Sequence, residues 1–147
     1  TPSSNNPEHF GDFIPFVTPT DFRNYGKFIL NSVRGISKKG KQSYEKYIIP
    51  EASIIVTCIG SDMGKVAITA TPCITNQQIN TIVFNSDFAG IEYLYQHLKN
   101  IYHLLRNIAL GGSTMPIINK SASIDNLLIL LQFSVSSIID IFFPFTK

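Results

Sequence analysis

Branched apolar residues gather in two short runs, Ser53–Ile59 and Lys65–Ala70, on either side of Gly60-Ser61-Asp62-Met63-Gly64. Strand-forming residues around a Gly-rich turn predict a β-hairpin. A third run, Ile79–Phe84, follows the turn around Thr71-Pro72-Cys73 and predicts another strand. Ahead of it, Asn76-Gln77-Gln78-Ile79-Asn80 puts amides where plain alternation would be expected. Ile91, Leu94, Tyr95, Leu98, Ile101, Tyr102, Leu105 and Ile108 then recur at helical spacing up to Gly111, with Glu92, Gln96, Lys99, Asn100 and Arg106 off the stripe. That spacing predicts one long amphipathic helix over about 87–110, with an N-cap offered by Asn85-Ser86-Asp87.

The remaining pattern is weaker. Thr1–Gly11, rich in Pro, Ser and Asn, reads as an extended surface segment. Phe13–Val17 reads as a short buried strand whose Pro15 places it at a sheet edge. Thr18-Pro19-Thr20-Asp21 is a turn or a helix start. Ile117–Ser121 reads as a short strand or turn. The apolar run Leu127–Phe145 resembles a membrane span in length, yet it carries Gln132, Asp140 and Pro144. An Asp at a helix centre costs about 2.5–3.5 kcal/mol on insertion, so a buried strand followed by a core-packed segment is the better reading. These elements add up to a mixed α/β domain with a twisted, mainly antiparallel sheet. Residues 1–121 form the recognisable domain and residues 122–147 an apolar C-terminal segment packed on it.

Composition narrows the function by exclusion. With 147 residues, 44% hydrophobic and 15% charged, the chain is neither disordered nor a coiled coil, and its net charge of +2 identifies no partner. Cys58 and Cys73 have neither CxxC spacing nor the density of a disulfide framework, which fits reduced thiols in a cytoplasmic protein. Gly60–Lys65 falls short of a phosphate-binding loop, having three residues between its glycines and Val66 after the lysine. His97 and His103 fall roughly 120° apart around a helix and make no metal pair, while His9 is alone in the opening segment. No nucleophile, base and acid constellation is suggested by local motifs, so no catalysis, metal or cofactor is expected.

Charge position is more informative than net charge. Arg23, Lys27, Arg34, Lys38, Lys39, Lys41 and Lys46 face one acid, Glu45, across Arg23–Lys46, giving this segment a local charge of +6. Interleaved Asn24, Tyr25, Ser32, Ser37, Gln42, Ser43 and Tyr44 add groups able to reach base edges. The same pattern also describes a solvated loop. The amides at 76–80 likewise have two readings, as readers of adenine or as partners of turn backbone, and the second is the commoner use for Asn76 and Gln78.

Several blocks in order resemble one family. Thr1-Pro2-Ser3, Phe10-Gly11-Asp12, Ile14–Asp21, Arg34-Gly35-Ile36, Ile54–Gly60, Gly64-Lys65-Val66, Thr75–Asn80 and Gly112–Ser121 resemble the target-recognition domain in specificity subunits of type I restriction-modification enzymes. The resemblance implies a non-catalytic domain that reads one half of a bipartite double-stranded DNA site for partner methyltransferase and translocase-nuclease subunits. It departs from the family after Ser121, where a spacer helix is expected and an apolar, nearly uncharged stretch stands instead. The expected DNA contacts are Arg23, Asn24, Lys27, Arg34, Lys38, Lys39 and Lys41, with Ser113, Thr114 and Lys120 as further candidates and Thr20 and Ser61 bordering the surface. Two alternatives remain at this point: the same domain fused to a single-chain methyltransferase-nuclease, or a protein-interaction module using the apolar C-terminal run.

Overall fold

Ile54–Thr57 (β4) and Val66–Thr69 (β5) pair antiparallel, with Ile54 opposite Ile68, Ile55 opposite Ala67 and Val56 opposite Val66. This is the predicted hairpin, seen in a computed structural model that describes residues 2, 5–84, 88–101 and 139–142. Gly60 and Gly64 hold φ of 87° and 85°, a region closed to most side chains, which is why the loop needs a glycine at each end. Buried Thr57 ties the loop down: its backbone carbonyl accepts from the Gly64 N–H at 2.7 Å, and its hydroxyl accepts from the Lys65 N–H at 3.0 Å.

The hairpin is the centre of a five-stranded sheet. Ile79–Phe84 (β7) pairs antiparallel with β4 from Ile54↔Ile82 to Thr57↔Ile79, and Ile139–Phe142 (β8) pairs antiparallel with β7. On the other side, the two-residue strand Phe28–Ile29 (β2) runs parallel to β5. Every residue of β4 is buried, because both faces of this sheet are covered. Ile54, Val56, Ile68 and Ile82 meet Ile91, Leu94, Tyr95 and Leu98 of the helix Phe88–Asn100 (α3). The alternate residues Ile55, Ala67 and Ile79 meet Val17, Phe22, Ile29, Ile49 and Cys73. The period of two along β4 therefore sorts one apolar run between two core layers. α3 occupies the first part of the predicted helix; 102–110 lie outside the described residues.

A second sheet stands beside the first. Phe10–Val17 (β1) pairs antiparallel with Arg34–Ile36 (β3) and parallel with Ile74–Thr75 (β6). Ile14, Phe16, Ile36 and Ile74 form its core, with Phe10, Tyr44 and Ile48 against it. The strands thus divide between two mixed sheets within the expected mixed α/β class. β1 is central, not the edge strand that Pro15 predicted. Pro15 is tolerated because pairing with β6 begins only at Phe16, so the proline faces a single neighbour, Gly35 of β3. The strand also starts at Phe10, after a 3-10 turn at Pro7–His9, where the sequence suggested an extended surface segment.

Two short α-helices, and a 3-10 turn at Glu45–Tyr47, also lie among the described residues. Asp21–Tyr25 (α1) follows the turn at Thr18, and Lys38–Ser43 (α2) rises directly from β3. The Ser37 hydroxyl oxygen caps α2 by accepting from the Gly40 N–H at 3.1 Å. Among the described residues, no helix is long and apolar enough to cross a membrane.

Candidate nucleic-acid interface

α2 is locked against the start of β1 by backbone contacts that glycine alone permits. A Cβ on Gly40 would lie 2.2 Å from the His9 carbonyl oxygen, and one on Gly35 would lie 2.3 Å from that of Gly11. Into this close contact Ser37 donates twice, from its N–H to the His9 carbonyl at 2.9 Å and from its hydroxyl to the Glu8 carbonyl at 2.7 Å. The Tyr44 hydroxyl, just past α2, lies 3.1 Å from His9 Nδ1. The helix is six residues long and needs such anchoring, since so short a helix is marginal by itself.

The anchoring sets out a group of cations. Lys38 and Lys41, three apart and so on one side of α2, carry their Nζ atoms 5.4 and 5.5 Å from the centre of the same ring, Phe13. Phe13 is 48% exposed. It stands outside because β1 bulges: Phe10 and Ile14 both face Ile36, and Gly11-Asp12-Phe13 between them are pushed into solvent. On β3, the exposed Arg34 lays its guanidinium 4.5 Å from the Phe10 ring centre and 5.5 Å from that of Phe16. Among the described residues no carboxylate makes an ion pair with Arg34, Lys38 or Lys41. Lys39 differs, with Glu8 Oε1 3.4 Å from its Nζ on an exposed surface, a contact of little strength in water.

The earlier part of the basic segment is engaged within the fold. Arg23 donates from Nε to both Asp62 carboxylate oxygens at 3.2 and 3.0 Å and from its NH2 group to one of them at 2.5 Å, while Lys65 Nζ stands 2.6 Å from the same carboxylate. The Arg23 guanidinium, helped by Lys65, holds the Asp62 carboxyl below its usual range. This triad clamps α1 to the hairpin loop. Lys27 pairs with Glu92 of α3 and also lies 5.0 Å from the Phe28 ring and 5.1 Å from the Tyr95 ring. Lys27, followed by a 2.9 Å bond from Gln96, lowers the Glu92 carboxyl in turn. A cleft of about 550 Å³ between these elements is lined by Phe22, Lys27, Lys65, Tyr95 and Lys99.

Buried Asp21 joins the two halves. Its carboxylate accepts from the Thr18 N–H and hydroxyl and from the Val33 N–H, each at 2.8 Å, so it fixes the start of α1 and the approach to β3 together.

The expected contacts therefore separate. Among the described residues Arg34, Lys38 and Lys41, on the small sheet and α2, make no ion pair; Arg23 and Lys27 are engaged by Asp62 and Glu92; Thr20, Asn24 and Ser61 are exposed near α1 and the hairpin loop. Ser113, Thr114 and Lys120 lie outside the described residues. The amides have the structural role: Asn76 Oδ1 accepts from the Gln78 N–H at 3.1 Å and its Nδ2 donates to Gln78 Oε1 at 2.9 Å, closing the turn into β7. Both cysteines are buried, and burial pushes their thiols up to about 12, which removes thiolate chemistry at neutral pH. Among the described residues, no group of three His, Cys, Asp or Glu is placed to hold a metal ion. Sequence reasoning missed Phe13 and Asp12, whose exposure follows from a bulge, and it missed Asp62 and Glu92 as partners of the basic segment.

Residues 1–129 match the family described as the type I restriction modification DNA specificity domain. The chain is similar to the type I restriction enzyme HindI specificity subunit of Haemophilus influenzae, 37% identical over 123 residues, which is 82% of this chain and 26% of that protein. It is also similar to the type I restriction enzyme MjaIX specificity subunit of Methanocaldococcus jannaschii, 35% identical over 119 residues, or 79% of this chain and 27% of that protein. The chain thus spans about a quarter of the length of these curated relatives.

Proposed function

The chain belongs to the type I restriction-modification DNA specificity domain family, and from that premise we propose that it recognises a base sequence in double-stranded DNA. One half of a bipartite site is its target, and a methyltransferase subunit and a restriction subunit are its partners; its own part is specificity, not catalysis. The observation that carries the reading is the set of cations with no carboxylate partner among the described residues: Lys38 and Lys41 beside exposed Phe13 on a rigidly anchored helix, and Arg34 on β3 against Phe10 and Phe16. Free cations release counterions from DNA on binding, whereas a cation already paired inside the protein must first give up its partner.

Three phosphate contacts give a log-log salt slope of about −2.7, or roughly a fortyfold loss of affinity between about 50 and 200 mM salt. Titration of random-sequence duplexes with the full chain at several salt concentrations measures it. Affinity that is flat across that range rules out the reading. Replacing Lys38, Lys39 and Lys41 together should weaken every duplex alike, since phosphate contacts carry no sequence information.

A further inference from the structure

Phosphate-binding lysines explain affinity and not sequence. The group that stands among them on the protein surface is apolar. Phe13 is nearly half exposed, has two ammonium groups 5.4 and 5.5 Å from its ring centre, and projects from a bulge whose neighbours Gly11 and Asp12 are exposed with it. The bulge is not loose: a Cβ on Gly11 would come within 3.0 Å of Ser37 Cβ, and Gly35 packs just as closely against the Gly11 carbonyl. Exposing a phenyl ring loses hydrophobic stabilisation, so a rigid support that holds one outward beside two cations indicates a surface that is dry when the domain is at work.

We propose that Phe13 is a specificity-determining residue that makes an apolar contact with a thymine methyl group in the major groove, with Lys38 and Lys41 on the flanking phosphates. The ring has no hydrogen-bonding group, and in the major groove the methyl of thymine is the one apolar feature that distinguishes a base pair. The proposal rests on the DNA-recognition reading, and its test separates the two.

The full chain and its Phe13→Ala variant are each used to enrich binders from a library of random duplexes. The wild-type chain enriches a motif, and Phe13→Ala enriches the same motif with one thymine position relaxed. Phe13→Leu, which keeps an apolar side chain, retains that thymine. In a single duplex carrying the motif, deoxyuridine at that position weakens wild-type binding about fourfold, the worth of one methyl group taken out of water, and leaves Phe13→Ala unaffected. The side chain is half exposed, and the melting temperature of Phe13→Ala is expected to match the wild type, which excludes a folding effect. An unchanged motif with Phe13→Ala overturns the proposal, as does an equal loss of affinity for all sequences, because the ring would then serve only to support the lysines. A library from which the wild-type chain enriches no motif overturns the DNA-recognition reading and the proposal with it.

Discussion

Arg23 and Lys27 on one side, Arg34, Lys38 and Lys41 on the other, come from one continuous basic segment and meet opposite surroundings. The first two reach across the large sheet and find carboxylates, Asp62 on the hairpin loop and Glu92 on α3. The other three lie on β3 and α2, where the rings of Phe10, Phe13 and Phe16 have their centres 4.5–5.5 Å from these charges. A carboxylate satisfies a cation and takes it out of competition for phosphate. A ring face leaves the charge available at a gain of about 0.5–1 kcal/mol at an exposed site. Two regions of like composition thus serve the fold in one case and, on the proposed function, DNA in the other. Basic residues in a sequence mark a candidate surface only after their acidic partners have been found.

The largest effect is expected where the two regions are joined. Asp21→Ala removes a buried carboxylate and with it the acceptor of three part-buried bonds, from the Thr18 N–H, the Thr18 hydroxyl and the Val33 N–H, and a hydrogen bond to a charged group contributes about 1.5–3 kcal/mol. We expect a loss of about 3 kcal/mol in chemical denaturation, after allowing for donors that turn to water. A loss below about 1 kcal/mol would mean that the approach to β3 is held by other contacts, with Asp21 a minor one.

Next in size is a direct exchange of roles between the regions. At about 150 mM salt, two phosphate contacts account for roughly thirtyfold in affinity, so Lys38→Ala with Lys41→Ala should weaken random-duplex binding by about that factor and flatten the salt slope by about 1.8. The melting temperature should hardly move. Arg23→Ala with Lys27→Ala should do the reverse, lowering the melting temperature while leaving the salt slope intact. Equal losses of slope in both pairs would erase the distinction between paired and free cations and place DNA over the whole segment.

How far the sequence alone leads follows the range of the interactions. Branched residues on both sides of Gly60–Gly64 specify the hairpin, and the spacing of Ile91, Leu94, Tyr95 and Leu98 specifies the face of α3, because both patterns are local. Phe28–Ile29 and Ile74–Thr75 are too short for any period, and both pair in parallel with strands distant in sequence, so the division into two sheets was hidden. The sorting of the cations was hidden for the same reason: Arg23 lies 39 positions from Asp62 and Lys27 lies 65 from Glu92. Pro15 misled because a proline reports one missing donor, and β1 avoids the need for it simply by starting its second pairing at Phe16. The resemblance to the family was legible in short blocks such as Thr75–Asn80, where Asn76 and Gln78 close the turn into β7.

The smallest expected effect tests the paired region by pH. The Asp62 carboxyl is held below its ordinary value by Arg23 and Lys65, so the folded state binds its proton less readily than the unfolded chain does. Its contribution to stability is complete above the ordinary carboxyl value of about 3.9 and is lost as pH falls through the lowered one. Asp62→Asn keeps the shape, removes the charge and should lower the melting temperature slightly at neutral pH. The gap between variant and wild type should then close as the solution is acidified through that window. Arg23 is released by the same substitution, and this is where the contrast between the regions is sharpest. If the hairpin loop and α1 stand off the DNA, random-duplex affinity and salt slope stay as they were. A steeper slope in Asp62→Asn would show that Arg23 lies within reach of phosphate and that Asp62 competes with DNA for it, making the clamp a restraint on binding as well as a support for the fold.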